Sequence, residues 1–302
     1  MGSTYLMRSV RRKQESASTR PVFMVGCQRS GTTLARYLFD AHPNLACPPE
    51  SKFIAGLKAF YDYPQSRPAL LSLGFDEDDI RRELRKVIEI FLSSYARRQG
   101  KRRWIDKTPN YFRLLPFIDD IFAGEALYLF LARHPLDCID SLYSVYGTRK
   151  QYDDPEIRLS IRSHGKGFDG WAQYWNEVYD RISDFSLSHP ERCHVFRYED
   201  LVRKPRATLQ RALGFIGESL PEDLVRTAFT MPHTAGYEDP CIRETNGVRA
   251  DRIGKWKRWP PDRTAALWPL VEQIAARFGY AVNGRRDQLA LLSCWEERDR
   301  IA

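Results

Sequence analysis

The sequence predicts an α/β fold, a central parallel sheet flanked by helices in three layers, and three observations predict it. Short apolar runs alternate with longer stretches of helical periodicity. The run 126–132, A-L-Y-L-F-L-A, is apolar throughout, as a strand covered on both faces must be. The run 22–26 ends in a glycine-bracketed turn, Gly26 to Gly31, that opens directly into a helical pattern. Ligands of such a sheet gather beyond the carboxyl ends of its strands, and Gly26 to Thr33, Lys107 and Arg133 all fall at such ends.

The elements follow in order. A strand over 22–26 leads to a helix over 32–41, which His42-Pro43-Asn44 breaks. Cys47-Pro48-Pro49 to Glu50 then reads as an irregular segment returning across the active face. Residues 76–98 form a long amphipathic helix, with Ile80, Leu84, Val87, Ile88, Phe91, Leu92 and Tyr95 near helical spacing. Its acidic start, Asp76 to Asp79, suits a helix N-terminus. A short strand, Trp104-Ile105-Asp106, ends at Lys107-Thr108-Pro109, and a helix is expected over 111–122. The buried strand 126–132 precedes Arg133-His134-Pro135 and a helix to about Tyr146. Trp171, Tyr174 and Trp175 share a helical stretch, as core or a channel wall. A strand over 193–197 meets Tyr198-Glu199-Asp200-Leu201. Residues 231–254 are polar and aperiodic, a long loop either ordered for function or disordered, and 261–278 reads as a helix. One domain is expected over 21–284, between a basic segment over 1–20 and a tail over 285–302.

Composition narrows the class. With 43% hydrophobic and 28% charged residues in 302, the chain reads as a soluble globular protein. No apolar stretch approaches the roughly 20 residues that span a bilayer, so stable membrane association is not expected. The six cysteines are dispersed without a C-x-x-C pair, which indicates neither a zinc site nor a disulfide scaffold and fits a reducing cytoplasm. A net charge of +8 favours an anionic partner without choosing among nucleotide, nucleic acid and membrane surface.

The motifs choose. In V-F-M-V-G-C-Q-R-S-G-T-T, residues 22–33, backbone N–H groups between Gly26 and Gly31 can wrap an anion at a helix N-terminus. A Walker A loop would carry lysine where Thr32 stands; here Arg29 lies inside the loop instead. C-Q-R-S-G-T-T resembles the 5′-phosphosulfate loop of sulfotransferases that use 3′-phosphoadenosine 5′-phosphosulfate (PAPS). Arg133 and Ser141, eight residues apart, offer a planar guanidinium and a hydroxyl. Their string, R-H-P-L-D-C-I-D-S, resembles the family's 3′-phosphate signature. Asp106-Lys107-Thr108-Pro109, the Y-E-D-L at Tyr198 and Gly254-Lys255-Trp256 resemble further family segments. The C-Q-R-S-G-T-T loop, the H-P-N turn and Glu50 look closer to tyrosylprotein sulfotransferases and bacterial relatives than to phenol sulfotransferases. The latter carry a lysine at the position of Arg29 and a catalytic histidine after the second strand, where this chain reads K-T-P-N.

The resemblance implies a P-loop-like fold, PAPS as donor, adenosine 3′,5′-bisphosphate as product, no metal, and a hydroxyl-bearing acceptor: a small natural product, a glycan or a tyrosine. Gln28, Arg29, Ser30, Gly31, Thr32, Thr33, Arg133, Ser141, Tyr198, Arg252, Gly254 and Lys255 are the implied cofactor residues, with Arg243 and Arg249 in the same basic loop. With no histidine after Lys107, Glu50 leads as general base, against an ordinary ion pair with Lys52. Arg29 and Lys107 are expected to meet charge on the departing phosphate, although Lys107 could equally pair with Asp106. Asp137 and Asp140 read as first-turn helix residues, His42 and His134 as turn and capping residues. A homodimer is compatible with the sequence. A nucleotide kinase lacks its Walker lysine here, a nucleic-acid binder its aromatic or zinc signature, and an inert nucleotide-binding module would not need Glu50 with Lys107.

Overall fold

A computed structural model describes residues 19–147, 154–237, 239, 242 and 245–282. The expected segment over 1–20, except its last two residues, the tail over 285–302 and Arg243 lie outside the described residues. Five parallel strands form one sheet in the order β2-β3-β1-β4-β5, built from β1 (Val22–Gly26), β2 (Leu45–Ala46), β3 (Arg103–Lys107), β4 (Leu127–Ala132) and β5 (Cys193–Arg197). β1 is central, with Val22 opposite Ile105 on one side and Leu127 on the other. Every residue of β1, β3 and β4 is buried, which explains the apolar runs of β1 and β4, whereas β3 carries the charged Arg103, Asp106 and Lys107 into the interior.

Alternation along the strands divides the core into two halves, one per face. Phe23, Val25, Tyr128 and Phe130 belong to one cluster; Val22, Met24, Leu127 and Leu129 belong to the other. The first face is covered by the long helix Glu77–Arg98 through Ile80, Leu84, Ile88 and Leu92, and by Phe168–Ser188 through Trp171, Trp175 and Tyr179. The second is covered by α1 (Thr32–Asp40), through Leu34, Ala35 and Leu38, and by the helix Pro205–Phe215, through Leu209, Ala212 and Leu213. Three layers result, as expected. The acidic start of the long helix is a capping box: Asp79 N–H donates to Asp76 Oδ1 at 2.7 Å, and Asp76 N–H to Asp79 Oδ2 at 3.1 Å.

Several boundaries differ from expectation for local reasons. The helix expected over 111–122 is a 3₁₀ turn, Pro109–Arg113, followed by a separate helix, Leu115–Ile121. Pro116 has no N–H to continue a helix through this point. The irregular segment after His42 contains β2, whose two residues pair with Arg103 and Trp104 at the sheet edge. Helices Phe53–Asp62 and Ser66–Ser72 follow it and were not expected. The helix after β4, α2 (Pro135–Leu142), gives way to a π turn over Tyr143–Gly147.

β1 and β4 approach so closely at Gly26 that a Cβ there would lie 2.6 Å from the backbone oxygen of Leu131. Gly26→Ala must therefore push the strand ends apart, at a cost of roughly 1–3 kcal/mol. Thermal denaturation should show a melting temperature several degrees below wild type; an unchanged value would contradict this packing.

Candidate active site

The carboxyl ends of β1, β3 and β4 open into one cleft of about 590 Å³. At its floor the chain leaves β1 through a turn in which Ser30 N–H donates to Cys27 O at 3.1 Å. Arg29 and Gly31 both adopt left-handed backbone, with φ of 68° and 100°. Gly31 is required twice over, because a Cβ there would also fall 2.4 Å from Tyr198 Cδ2. Thr32 and Thr33 open α1, whose N-terminus faces the same cleft.

Arg133 stands at the end of β4. It donates to Arg29 O at 2.9 Å and Arg252 O at 2.6 Å, its guanidinium carbon lies 4.5 Å from the Tyr198 ring centroid, and its buried Nε has no hydrogen-bond partner. Arg29 reaches across the cleft, from Nε to Ser141 Oγ at 3.2 Å and from Nη2 to Asp239 Oδ2 at 2.8 Å. Ser141 thus bonds Arg29 rather than Arg133, although all three line the cleft. The Y-E-D segment closes the arrangement: Tyr198 meets Gly31, Glu199 accepts from His134 N–H at 3.0 Å, and Asp200 accepts from Arg197 at 2.7 Å.

Asp137 lies in the first turn of α2 as expected, Asp140 in the second, and both reach beyond the helix. Asp137 accepts the backbone N–H groups of Gly254 and Lys255, each at 2.7 Å, and Asp140 accepts from Trp259 Nε1 at 2.7 Å. Burial pushes the Asp137 carboxyl above its usual range, against the pull of Arg133 and these N–H donors. The late G-K-W segment is thereby fastened over α2. Their spacing of three residues, one helical turn, is the signal that both face one side.

On the opposite wall Glu50 Oε1 accepts from Lys107 Nζ at 3.0 Å, while Oε2 lies 3.5 Å from Lys52 Nζ. Lys107 is fully buried and sits behind Glu50 at the end of β3. It pairs with Glu50 rather than Asp106, whose carboxylate instead accepts from Ser51 Oγ at 2.6 Å and Thr108 Oγ1 at 3.1 Å. Lys52 also pairs with Asp154 at 2.6 Å. Gln28 ties the cradle to the turn after β3 through Asn110, at 3.2 Å.

Gln28, Arg29, Gly31, Thr32, Thr33, Glu50, Arg133, Ser141, Tyr198, Arg252 and Lys255 therefore share one cleft, together with Arg249. Ser30 is buried beneath it, and Lys107 and the Gly254 backbone act from behind its wall. Asp239 and Asp154 belong to it and were not expected, while Lys52 stands beside Glu50, the ion-pair partner anticipated for it. His134 is stacked 5.2 Å from Trp256 and pushed down to about 4 by burial; His42 accepts from Asn44 N–H within its turn. Among the described residues no cluster of three His, Cys, Asp or Glu side chains is placed to hold a metal, and no helix is long and apolar enough to cross a membrane.

A family model described as the sulfotransferase family matches residues 21–222. The chain belongs to this sulfotransferase family. Nodulation protein NoeE of Sinorhizobium fredii is 29% identical over 207 residues, 65% of this chain and 49% of that protein, so the alignment spans about half of NoeE. Protein-tyrosine sulfotransferase 1 of Danio rerio is 24% identical over 89% of this chain and 76% of its own length. The sulfotransferase domain from the curacin biosynthetic pathway superposes with a TM-score of 0.60 at 21% identity, over 87% of this chain and 98% of that one. The P-loop-like three-layer fold of a sulfotransferase is thereby confirmed, and the kinase alternative is not favoured. In this sulfotransferase the matched stretch ends before Asp239 and Gly254, so the wall they form lies outside it.

The fully buried Asp106 gives the base side a pH signature. Burial pushes its carboxyl up to about 6, against hydrogen bonds from Ser51 and Thr108 that pull it down. An unfolded aspartate titrates near 3.9, so between about pH 4 and 6 the unfolded chain releases this proton first. Stability from this group is full below that window and is lost as pH rises through it, by about 3 kcal/mol. Asp106→Asn should remove the loss. Urea unfolding at several pH values should show the variant gaining on wild type from pH 4 to 6.5; a constant difference would contradict it.

Proposed function

We propose that this chain transfers the sulfuryl group of PAPS to an acceptor hydroxyl, with Glu50 as general base. The observation that carries this reading is that a carboxylate fixed by a buried lysine faces the same cleft as the anion cradle. The residues present suit the donor. Gly31 lets the Tyr198 ring close against the cradle where a side chain would clash with it, the cradle presents the α1 N-terminus, and buried Arg133 retains an unused Nε donor. Arg29, Gly31, Thr32 and Thr33 would hold the 5′-phosphosulfate; Arg133 with Ser141 would hold the 3′-phosphate; Arg252, Lys255 and Tyr198 would border the nucleotide. PAPS bound there supplies an activated sulfuryl group.

The chain's own residues do the rest. Lys107, deprived of water, holds one oxygen of Glu50 in place and leaves the other toward Lys52 and the cleft. An acceptor hydroxyl beside that carboxylate can pass its proton to it as the oxygen attacks. Arg29, with the hydroxyl and amide donors of Thr32 and Thr33, meets negative charge at the cradle. Similarity to NoeE and to protein-tyrosine sulfotransferase 1 supports the reaction class and leaves the acceptor open among small natural products, glycans and tyrosyl peptides.

Two variants test separate parts. Arg133→Ala should lose the preference for adenosine 3′,5′-bisphosphate over AMP in calorimetry; retained discrimination would dismiss the 3′-phosphate assignment. Glu50→Gln keeps shape but cannot accept a proton, so kcat should fall by roughly 10²- to 10⁴-fold with little change in cofactor affinity. Single-turnover transfer of labelled sulfuryl to an alkyl alcohol selected from an acceptor panel measures it, and near-normal transfer would remove Glu50 from the chemistry.

A further inference from the structure

We propose that Asp239 is an internal occupant of the phosphosulfate seat, a carboxylate that an incoming anion has to displace from Arg29. Its Oδ2 accepts from Arg29 Nη2 at 2.8 Å, and its backbone N–H donates to Thr33 Oγ1 at 3.4 Å. These are two of the residues assigned above to the 5′-phosphosulfate, so the inference rests on that reading for the identity of the anion. The carboxylate has the charge and planar oxygens that a guanidinium fork accepts in place of a sulfate or phosphate.

Asp239 is not a chance contact of a surface side chain. The segment leading to it is fastened at successive points: His233 Nδ1 lies 2.7 Å from Asp40 Oδ2, Thr234 O accepts from Arg36 at 2.9 Å, and Tyr237 O accepts from Glu50 N–H at 3.3 Å. Arg29 meets it from a left-handed backbone that L residues adopt only at a cost. Both side chains are only partly exposed, 19% for Arg29 and 29% for Asp239, so water screens the pair less than it would a surface bridge. An arriving anion exchanges one charge-assisted contact for another, and its apparent affinity is lowered by the contact it breaks. A ligand anchored elsewhere as well, at Arg133, overcomes that competition where a small free anion does not. Asp239 thereby lowers the affinity of every anion that takes this seat by the same factor.

Affinity without Asp239 tests this. Asp239→Asn should bind inorganic sulfate and adenosine 3′,5′-bisphosphate each about tenfold more tightly than wild type, the worth of one such contact. Asp239→Ser, different in shape but equally uncharged, should do the same. Asp251→Asn removes a charge from the same cleft beside Arg252 rather than Arg29, and should gain less than about twofold. The sulfate titration decides the proposal: unchanged or weaker binding in both Asp239 variants, or an equal gain in Asp251→Asn, overturns it. The nucleotide titration decides the functional reading separately. If neither wild type nor variant binds the bisphosphate while Asp239→Asn gains sulfate, the internal occupant stands and the PAPS assignment falls.

Discussion

Tyr198 touches the bare Cα of Gly31 and carries the Arg133 guanidinium 4.5 Å from its centroid, so one ring at the end of β5 fixes the relative positions of the β1 and β4 ends. The next residue, Glu199, takes the His134 N–H and holds the start of α2 to the same point. Everything in the cleft depends on this closure. Arg133 reaches Arg29 O only because the turn after β1 is brought this close, and Arg29 in turn reaches Ser141 on α2. A parallel sheet supplies strand ends at one edge; the Tyr198–Glu199 pair makes them a single surface.

Charge is arranged in the cleft by pairing rather than by simple accumulation. The chain carries a net charge of +8, yet Arg29, Lys52 and Lys107 each face a carboxylate: Asp239, Asp154 and Glu50. These pairs differ in what burial does to them. Lys107 is fully enclosed, so its partner is fixed in place, whereas Arg29 and Asp239 remain partly exposed and can exchange partners. The proposed base and the proposed anion seat rest on the same kind of contact at two depths.

Much of this was legible in the sequence because it is local. A continuous apolar run with a polar residue at its end marks a buried strand and the residue it delivers, which located Arg133; the glycine-bracketed turn located Arg29, and the short strand Trp104-Ile105-Asp106 located Lys107. The capping role of Asp76 to Asp79 was legible for the same reason. Asp239 was not, because it meets Arg29 across 210 residues from a segment without periodicity. β2 escaped notice because two residues show no alternation, and the helix break at Pro116 was passed over although proline announced it. Asp137 was read correctly as a first-turn residue but incompletely, and Asp140 was misplaced there, since it lies in the second turn; their partners Gly254, Lys255 and Trp259 lie more than a hundred residues later.

The central claim is that one cleft reads a nucleotide at both its 5′ and 3′ ends without a Walker lysine. Calorimetric titration of the wild-type chain with adenosine 3′,5′-bisphosphate, AMP and ATP, in buffer free of divalent metal, tests it most directly. The account predicts that the bisphosphate binds at least tenfold more tightly than AMP and ATP, the order of one charge-assisted contact. Equal affinity for AMP, or tighter binding of ATP, would contradict it.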